Sequence, residues 1–154
     1  RFIGTFERQA DMDYNIIIDD PFWVALPVDH PLAKRAHFSI RDFEQLPFIL
    51  YPKDTRSPFG QKILTHLDEK GVRPAIIHDA IEIHTALALV GAGLGGTLVS
   101  GSITPNNRRD VVFLPVEDID ISTTLVAVTR KGETSPLLEA FVHILAKQAG
   151  ESIQ

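Results

Sequence analysis

The sequence predicts an α/β protein with a mostly parallel sheet flanked by helices. Three observations carry this. Short apolar runs rich in β-formers alternate with runs of helical periodicity, and cap or turn residues mark most of their junctions. With 154 residues, 44% hydrophobic and 23% charged, the chain also has enough apolar material for one soluble domain, built as one body or as two lobes.

Taken in order, residues 1–20 are polar around Asp11, Asp13 and Asn15, and only 16–18 read as strand. This opening reads as the tail of a lobe that begins upstream, in a chain cut from a longer protein, because Arg1 stands where Met would and no signal pattern follows. Residues 22–27 form a buried strand ended by Pro27 and the turn Asp29-His30-Pro31. Ser39-Ile-Arg-Asp42 is a capping box that opens a short helix, and Pro47 stops it before a second strand at 48–51. Ser57-Pro58 caps the next helix; its stripe Phe59, Ile63, Leu64, Leu67 runs to Gly71. A third strand at 75–77, a helix at 82–90 and a fourth strand at 97–99 follow, then strands at 111–114 and 125–129. Ser135-Pro136 opens a last helix with Leu138, Phe141, Val142 and Leu145 at three- and four-residue spacing, before Gly150.

Several function classes drop out. A net charge of −5 argues against DNA binding by this chain, since phosphate affinity comes from clustered Lys and Arg. The pairs Lys34-Arg35 and Arg108-Arg109 read as solvated loops. The uncharged stretch 83–99 is broken by His84, Thr85, Thr97 and four glycines, so no membrane span is expected. The chain has no cysteine, which permits a reducing cytoplasm, the default localisation. Gly91-Ala-Gly93-Leu-Gly95-Gly96 fits the dinucleotide fingerprint only in letters: the glycines follow a helix and precede a strand, the reverse of what a pyrophosphate needs. They read as a tight helix-to-strand turn. No histidine spacing suits a metal, and Glu117, Asp118 and Asp120 read as a solvated acidic loop rather than a calcium loop. Val99-Ser100-Gly101-Ser102 is no nucleophile elbow. No catalytic residue, metal or cofactor is assigned, and an enzyme stays a secondary alternative.

The loops beyond the carboxyl ends of the strands remain as ligand positions. Residues 51–59 and 79–85 each run from a strand into a helix start, where free N–H groups suit an anion. Ser57 and Phe59 add a hydroxyl and an aromatic wall, and Arg1 or Arg56 is a candidate bidentate partner for a carboxylate.

Five motifs in order then carry a resemblance: Val24-Ala-Leu-Pro-x-x-His30-Pro31-Leu32, Leu46-Pro-Phe-Ile-Leu-Tyr-Pro52, Gly71-x-x-Pro74, Leu89-Val-Gly-Ala-Gly-Leu-Gly95 and the helix over 138–147. Together they resemble the effector-binding domain of LysR-type transcriptional regulators, the stretch at 48–52 resembling the muconate- and benzoate-responsive branch. The resemblance implies a periplasmic-binding-protein-like (type 2) fold of two lobes with the inducer in the cleft between them. Residues 1–20 would be a remnant of lobe I with the first crossover, 21–120 lobe II, and 121–154 the second crossover and return to an incomplete lobe I. It also implies a cytoplasmic homo-oligomer, a dimer of regulatory domains and a tetramer at full length. DNA would be held only by an upstream winged helix-turn-helix, and the effector would be a small anionic metabolite of aromatic catabolism.

Residue by residue, Arg1 matches the branch's carboxylate-pairing arginine, Phe59 its aromatic at the helix start, and Ile83 and Ile121 its apolar pocket positions. Ser57, Glu82 and His84 fall on the pocket side. The chain departs from the branch at Ser57 (proline there), His84 (glutamine) and Ser100 (proline in the family). A periplasmic solute-binding protein is the alternative with the same lobe shape.

Overall fold

In the computed structural model, residues 9–53, 59–104, 108–133 and 135–151 are described. The chain divides into two compact units, Arg1–Asp20 with Ser122–Gln154, and Pro21–Ile121.

Strict alternation builds the second unit. Strand β1 (Met12–Pro27) enters it at Pro21, and β2 (Phe48–Leu50), β3 (Ile76–Asp79), β4 (Thr97–Ser100) and β5 (Val111–Pro115) complete its strands. Successive side chains of a strand point to opposite faces. Phe22, Val24 and Leu26 accordingly join one buried cluster with Phe48, Leu98 and Leu114, while Ala25 joins a second with Ile49, Val99 and Val111. Helix α1 (Phe59–Glu69) seals the first face with Ile63 and Leu67, and α2 (Ile83–Gly91) the second with Ala86, Leu87 and Val90. Helices therefore cover both faces, as the alternation of elements predicts.

Strand direction departs from expectation. β2 and β3 are parallel, and Phe48 bridges Gly96 in parallel just before β4, but β1 runs antiparallel to both β4 and β5. Parallel neighbours need a long crossover, usually an α-helix. Only two 3-10 turns, Pro31–Lys34 and Ile40–Glu44, separate β1 from β2, so nothing there reverses the chain in the way α1 and α2 do. The second of these turns stands where a short α-helix was expected. Its capping box is formed nonetheless: the Ser39 N–H donates to Asp42 (3.1 Å) and the Ser39 hydroxyl accepts from the Arg41 N–H (3.3 Å).

The glycine-rich run is the expected helix-to-strand turn. Gly93 has φ +79° and its N–H reaches the Val90 carbonyl, while the Leu94 N–H reaches Leu89, a Schellman closure that favours glycine. At Gly95 (φ +151°) a Cβ would collide with the Pro47 carbonyl. Gly91, expected to end α2, is its last helical residue.

In the first unit, β6 (Ser122–Arg130) pairs with β1, and α3 (Pro136–Glu151) follows. β1 begins at Met12 rather than near 16, and β6 at Ser122 rather than Leu125. The Lys131 N–H donates to the Asp11 carbonyl and the Thr123 hydroxyl to the Asp20 carbonyl (3.2 Å), which anchors both ends of the pairing. Ladder bonds form whatever side chains stand outside them, so Asp13 and Asn15, both exposed, are compatible with a strand. Gly150 lies within α3 rather than after it.

Candidate functional site

Because β2, β3 and β4 run the same way, their carboxyl ends meet at one edge of the second unit, and the loops expected to hold a ligand meet there too. The Ala80 N–H donates to the Leu50 carbonyl and the Lys53 N–H to the Ala80 carbonyl, both 2.9 Å. The Lys53 ammonium pairs with the Asp79 carboxylate at 2.5 Å. Residues 51–53 and 79–80, far apart in sequence, are thus stitched into one rim. The Tyr51–Pro52 peptide within it is cis.

The structure sorts the expected site residues by face. Phe59 opens α1, half-buried, with its ring stacked on Phe22 at 5.7 Å and 28°. Ile121 packs against the same cluster. Ile83 opens α2 and packs against the cluster on the opposite face, as Tyr51 and Ile103 also do. Glu82 is the exposed N-cap of α2 in extended conformation, and its side chain makes no capping bond. Among the described residues no side chain caps the first turn of α2, whose N–H groups suit solvent or a ligand. His84, one residue into the helix, is exposed. Arg1, Arg56 and Ser57, with the Ser57-Pro58 cap, lie outside the described residues.

Tyr51 is a rim residue that the sequence reading left without a role. Burial first, and the nearby Glu82 carboxylate second, push its phenol above the ordinary value near 10. It stays a neutral donor. At the end of β4, the Ser100 and Ser102 hydroxyls are 3.3 Å apart. The rim thus offers apolar walls, hydroxyl groups and open helix N–H groups, a set suited to holding a small polar molecule. Among the described residues no group of three His, Asp or Glu side chains could hold a metal ion, and no helix is long and apolar enough to cross a membrane.

The acidic loop is solvated at Glu117 and Asp120, both exposed, but Asp118 departs from that reading. Asp118 accepts from the Ser39 hydroxyl (2.6 Å) and the Ile40 N–H (2.9 Å), and Asp120 pairs with Lys70. These bonds span 79, 78 and 50 residues, beyond the reach of local pattern. The first unit carries a hollow of about 580 Å³ among Asp13, Glu133, Glu139, His143, Leu138 and Val142. Its carboxylates would repel an anion, so the rim is the better candidate.

The family model described as LysR substrate binding domain matches residues 2–150. The transcriptional regulator CatR of Pseudomonas putida is 30% identical over 134 residues, covering 87% of this chain and 46% of its own length. The hca operon activator HcaR of Escherichia coli (strain K12) is 30% identical over 90% of this chain and 47% of its own. The chain spans about half the length of these curated relatives. The effector-binding domain of BenM, solved with its effector benzoate, superposes with a TM-score of 0.79 at 23% identity, covering 93% of this chain and 65% of that one. This likeness gives the fold, that of LysR effector-binding domains. The relatives are transcription regulators by name, which favours a regulatory role over the enzyme and solute-binding alternatives.

Proposed function

This chain belongs to the LysR substrate-binding domain family, and from that premise we propose that it is the effector-sensing part of a LysR-type transcriptional regulator. A small organic acid binds at the rim of the second unit. Phe59, Ile83 and Ile121 supply its apolar walls, and Glu82 and His84 flank the open start of α2. Arg1 or Arg56 pairs with its carboxylate, and Ser57 hydrogen-bonds it. The whole protein holds DNA through a winged helix-turn-helix outside this chain, works as a tetramer and resides in the cytoplasm. Residues 1–20 and 122–154 belong to its first lobe and 21–121 to its second, a boundary one residue beyond the 120 suggested by the sequence.

The observation that carries this reading is the stitched rim beside the uncapped start of α2. A helix N-terminus carries partial positive charge that favours an anion, and the rim's apolar residues suit an acid with an unsaturated or aromatic body. Glu82 opposes the same anion, so an arginine must offset it. BenM's benzoate supports this choice of ligand class.

The test is a thermal shift of the full-length protein with benzoate, cis,cis-muconate and catechol. A ligand that binds only the folded state stabilises it by mass action, by about 2.7 kcal/mol at a hundred times its Kd, and so raises the melting temperature. A rise with either acid and none with catechol is expected. Silence across the panel overturns the aromatic-acid class. Glu82→Gln is expected to tighten carboxylate binding severalfold, and weaker binding would overturn the role given to Glu82.

A further inference from the structure

Helix α1 touches the chain at two distant places. At its first residue Phe59 stacks on Phe22, close to where β1 enters the second unit at Pro21. Near its end, His66 and the following Lys70 both hold Asp120: the Lys70 ammonium pairs with the Asp120 carboxylate, and the Asp120 N–H donates to His66 Nε2 at 3.4 Å. An accepting Nε2 places the imidazole proton on Nδ1, which faces the Glu69 carboxylate at 4.0 Å.

Asp120 belongs to the last five residues of the second unit, and all five are tied down. The Glu117 N–H donates to the Phe38 carbonyl at 3.3 Å, and the Glu117 carboxylate lies 3.1 Å from His37. Asp118 holds Ser39 and Ile40, while Ile119 and Ile121 pack against the buried cluster that α1 covers. Residues 117–121 are thus a strap laid over the α1 face, with Asp120 fastened to the helix itself.

Between its two attachments α1 is stiff. Ile63 and Leu67 are fully buried, and close-packed interiors pass on a displacement instead of absorbing it. We propose that α1 is a lever that couples the position of Phe59, at the rim, to the strap 117–121 through which the chain leaves this unit. The proposal rests on Phe59 lining the ligand site for its purpose, but its mechanics need no ligand. His66 and Lys70 act here as positioning residues.

Hydrogen exchange in the full-length protein, without ligand, tests it. Residues 97–100 of β4 serve as the internal reference, and Phe59→Leu keeps the position apolar. Exchange over 117–121 is expected to rise about threefold relative to the reference, and the rise is expected to vanish in a Lys70→Ala, His66→Ala background, the non-additivity of coupled sites. Unchanged exchange at the strap overturns the lever, as does a rise shared equally by β4 or one that persists when both holding residues are gone. If Phe59→Leu destabilises the whole unit, Phe59→Tyr, which retains the ring, is expected to leave the strap as protected as in the parent; loosening by Tyr of the strap alone would overturn the stacking route. A silent ligand panel together with non-additive exchange would remove the rim assignment and leave the lever standing.

Discussion

The two units spend similar apolar side chains very differently. Apart from Ala149, every fully buried apolar residue described lies in Pro21–Ile121, where strands sit between α1 and α2. To the other unit the described residues contribute two paired strands and one helix, and the proposed function places its remainder elsewhere in a longer protein. There Ile16, Leu125, Val128, Leu137, Phe141 and Ile144 are exposed in this chain, Leu137 at 81%, whereas the exposed Ile76, Ile77 and Ile81 of Pro21–Ile121 lie outside a well-filled core. On α3, Leu137, Phe141 and Ile144 form a stripe at helical spacing, as regular as the Ile63 and Leu67 that α1 buries. Apolar periodicity therefore reports which face of an element can be covered. How many layers are present to cover it decides whether it is.

Urea unfolding should expose this contrast most strongly. Leu67→Ala and Leu87→Ala remove fully buried side chains and are expected to cost about 2–5 kcal/mol each, whereas Leu137→Ala should stay within about 0.5 kcal/mol. Equal costs would break the comparison. A smaller contrast concerns two glycines with positive φ. Gly95→Ala meets the Pro47 carbonyl as well as backbone strain, while Gly132, at φ +77°, has open space around it. Gly132→Ala is expected to cost about 1 kcal/mol and Gly95→Ala distinctly more, read from the same curves.

Asp118→Ala should cost about 1–2 kcal/mol by stranding the Ile40 N–H and the Ser39 hydroxyl. A loss near zero would return Asp118 to the solvated loop that the sequence suggested.

The smallest expected effect is electrostatic. A hydrogen bond from Lys70 holds Asp120 below the usual carboxylate range, and one from Arg108 does the same for Asp110. Since the folded pKa is depressed in each case, the stabilisation is present above the unfolded carboxylate pKa and is lost as pH falls through the folded one. Melting temperature should therefore decline on the acid side of about pH 4, less steeply in Lys70→Ala, and added salt should shrink the difference. An unchanged acid slope in Lys70→Ala would show that Asp120 contributes nothing to it.

The candidate site was legible in part. Two loops following strands and leading into helices could be picked out from Tyr51 onward and from Asp79 onward, and their residues 51–53 and 79–80 lie on the rim. That Lys53 would bond Ala80 and Asp79 could not be read, because those partners are 26 or more residues away and no local pattern encodes them. Phe59 and Ile83 were chosen together, yet they cover opposite faces of the strands. Tyr51 carried a usable signal, an aromatic hydroxyl at a strand end, without any sign that Glu82 would stand near it.

By itself the sequence determined the elements with strong local signatures. The capping box at Ser39, the Schellman glycines at 71, where the Gly71 and Val72 N–H groups reach the Asp68 and Leu67 carbonyls, and at 93, and the period of each apolar run are chemistry between residues a few positions apart, and local energetics suffice for them. Strand direction, the far ends of β1 and β6, the work of Asp118 and Asp120 and the stitched rim were decided only in three dimensions. Each depends on which distant backbone or charge arrives alongside, and that follows from the packing of whole layers, not from any short stretch of chain.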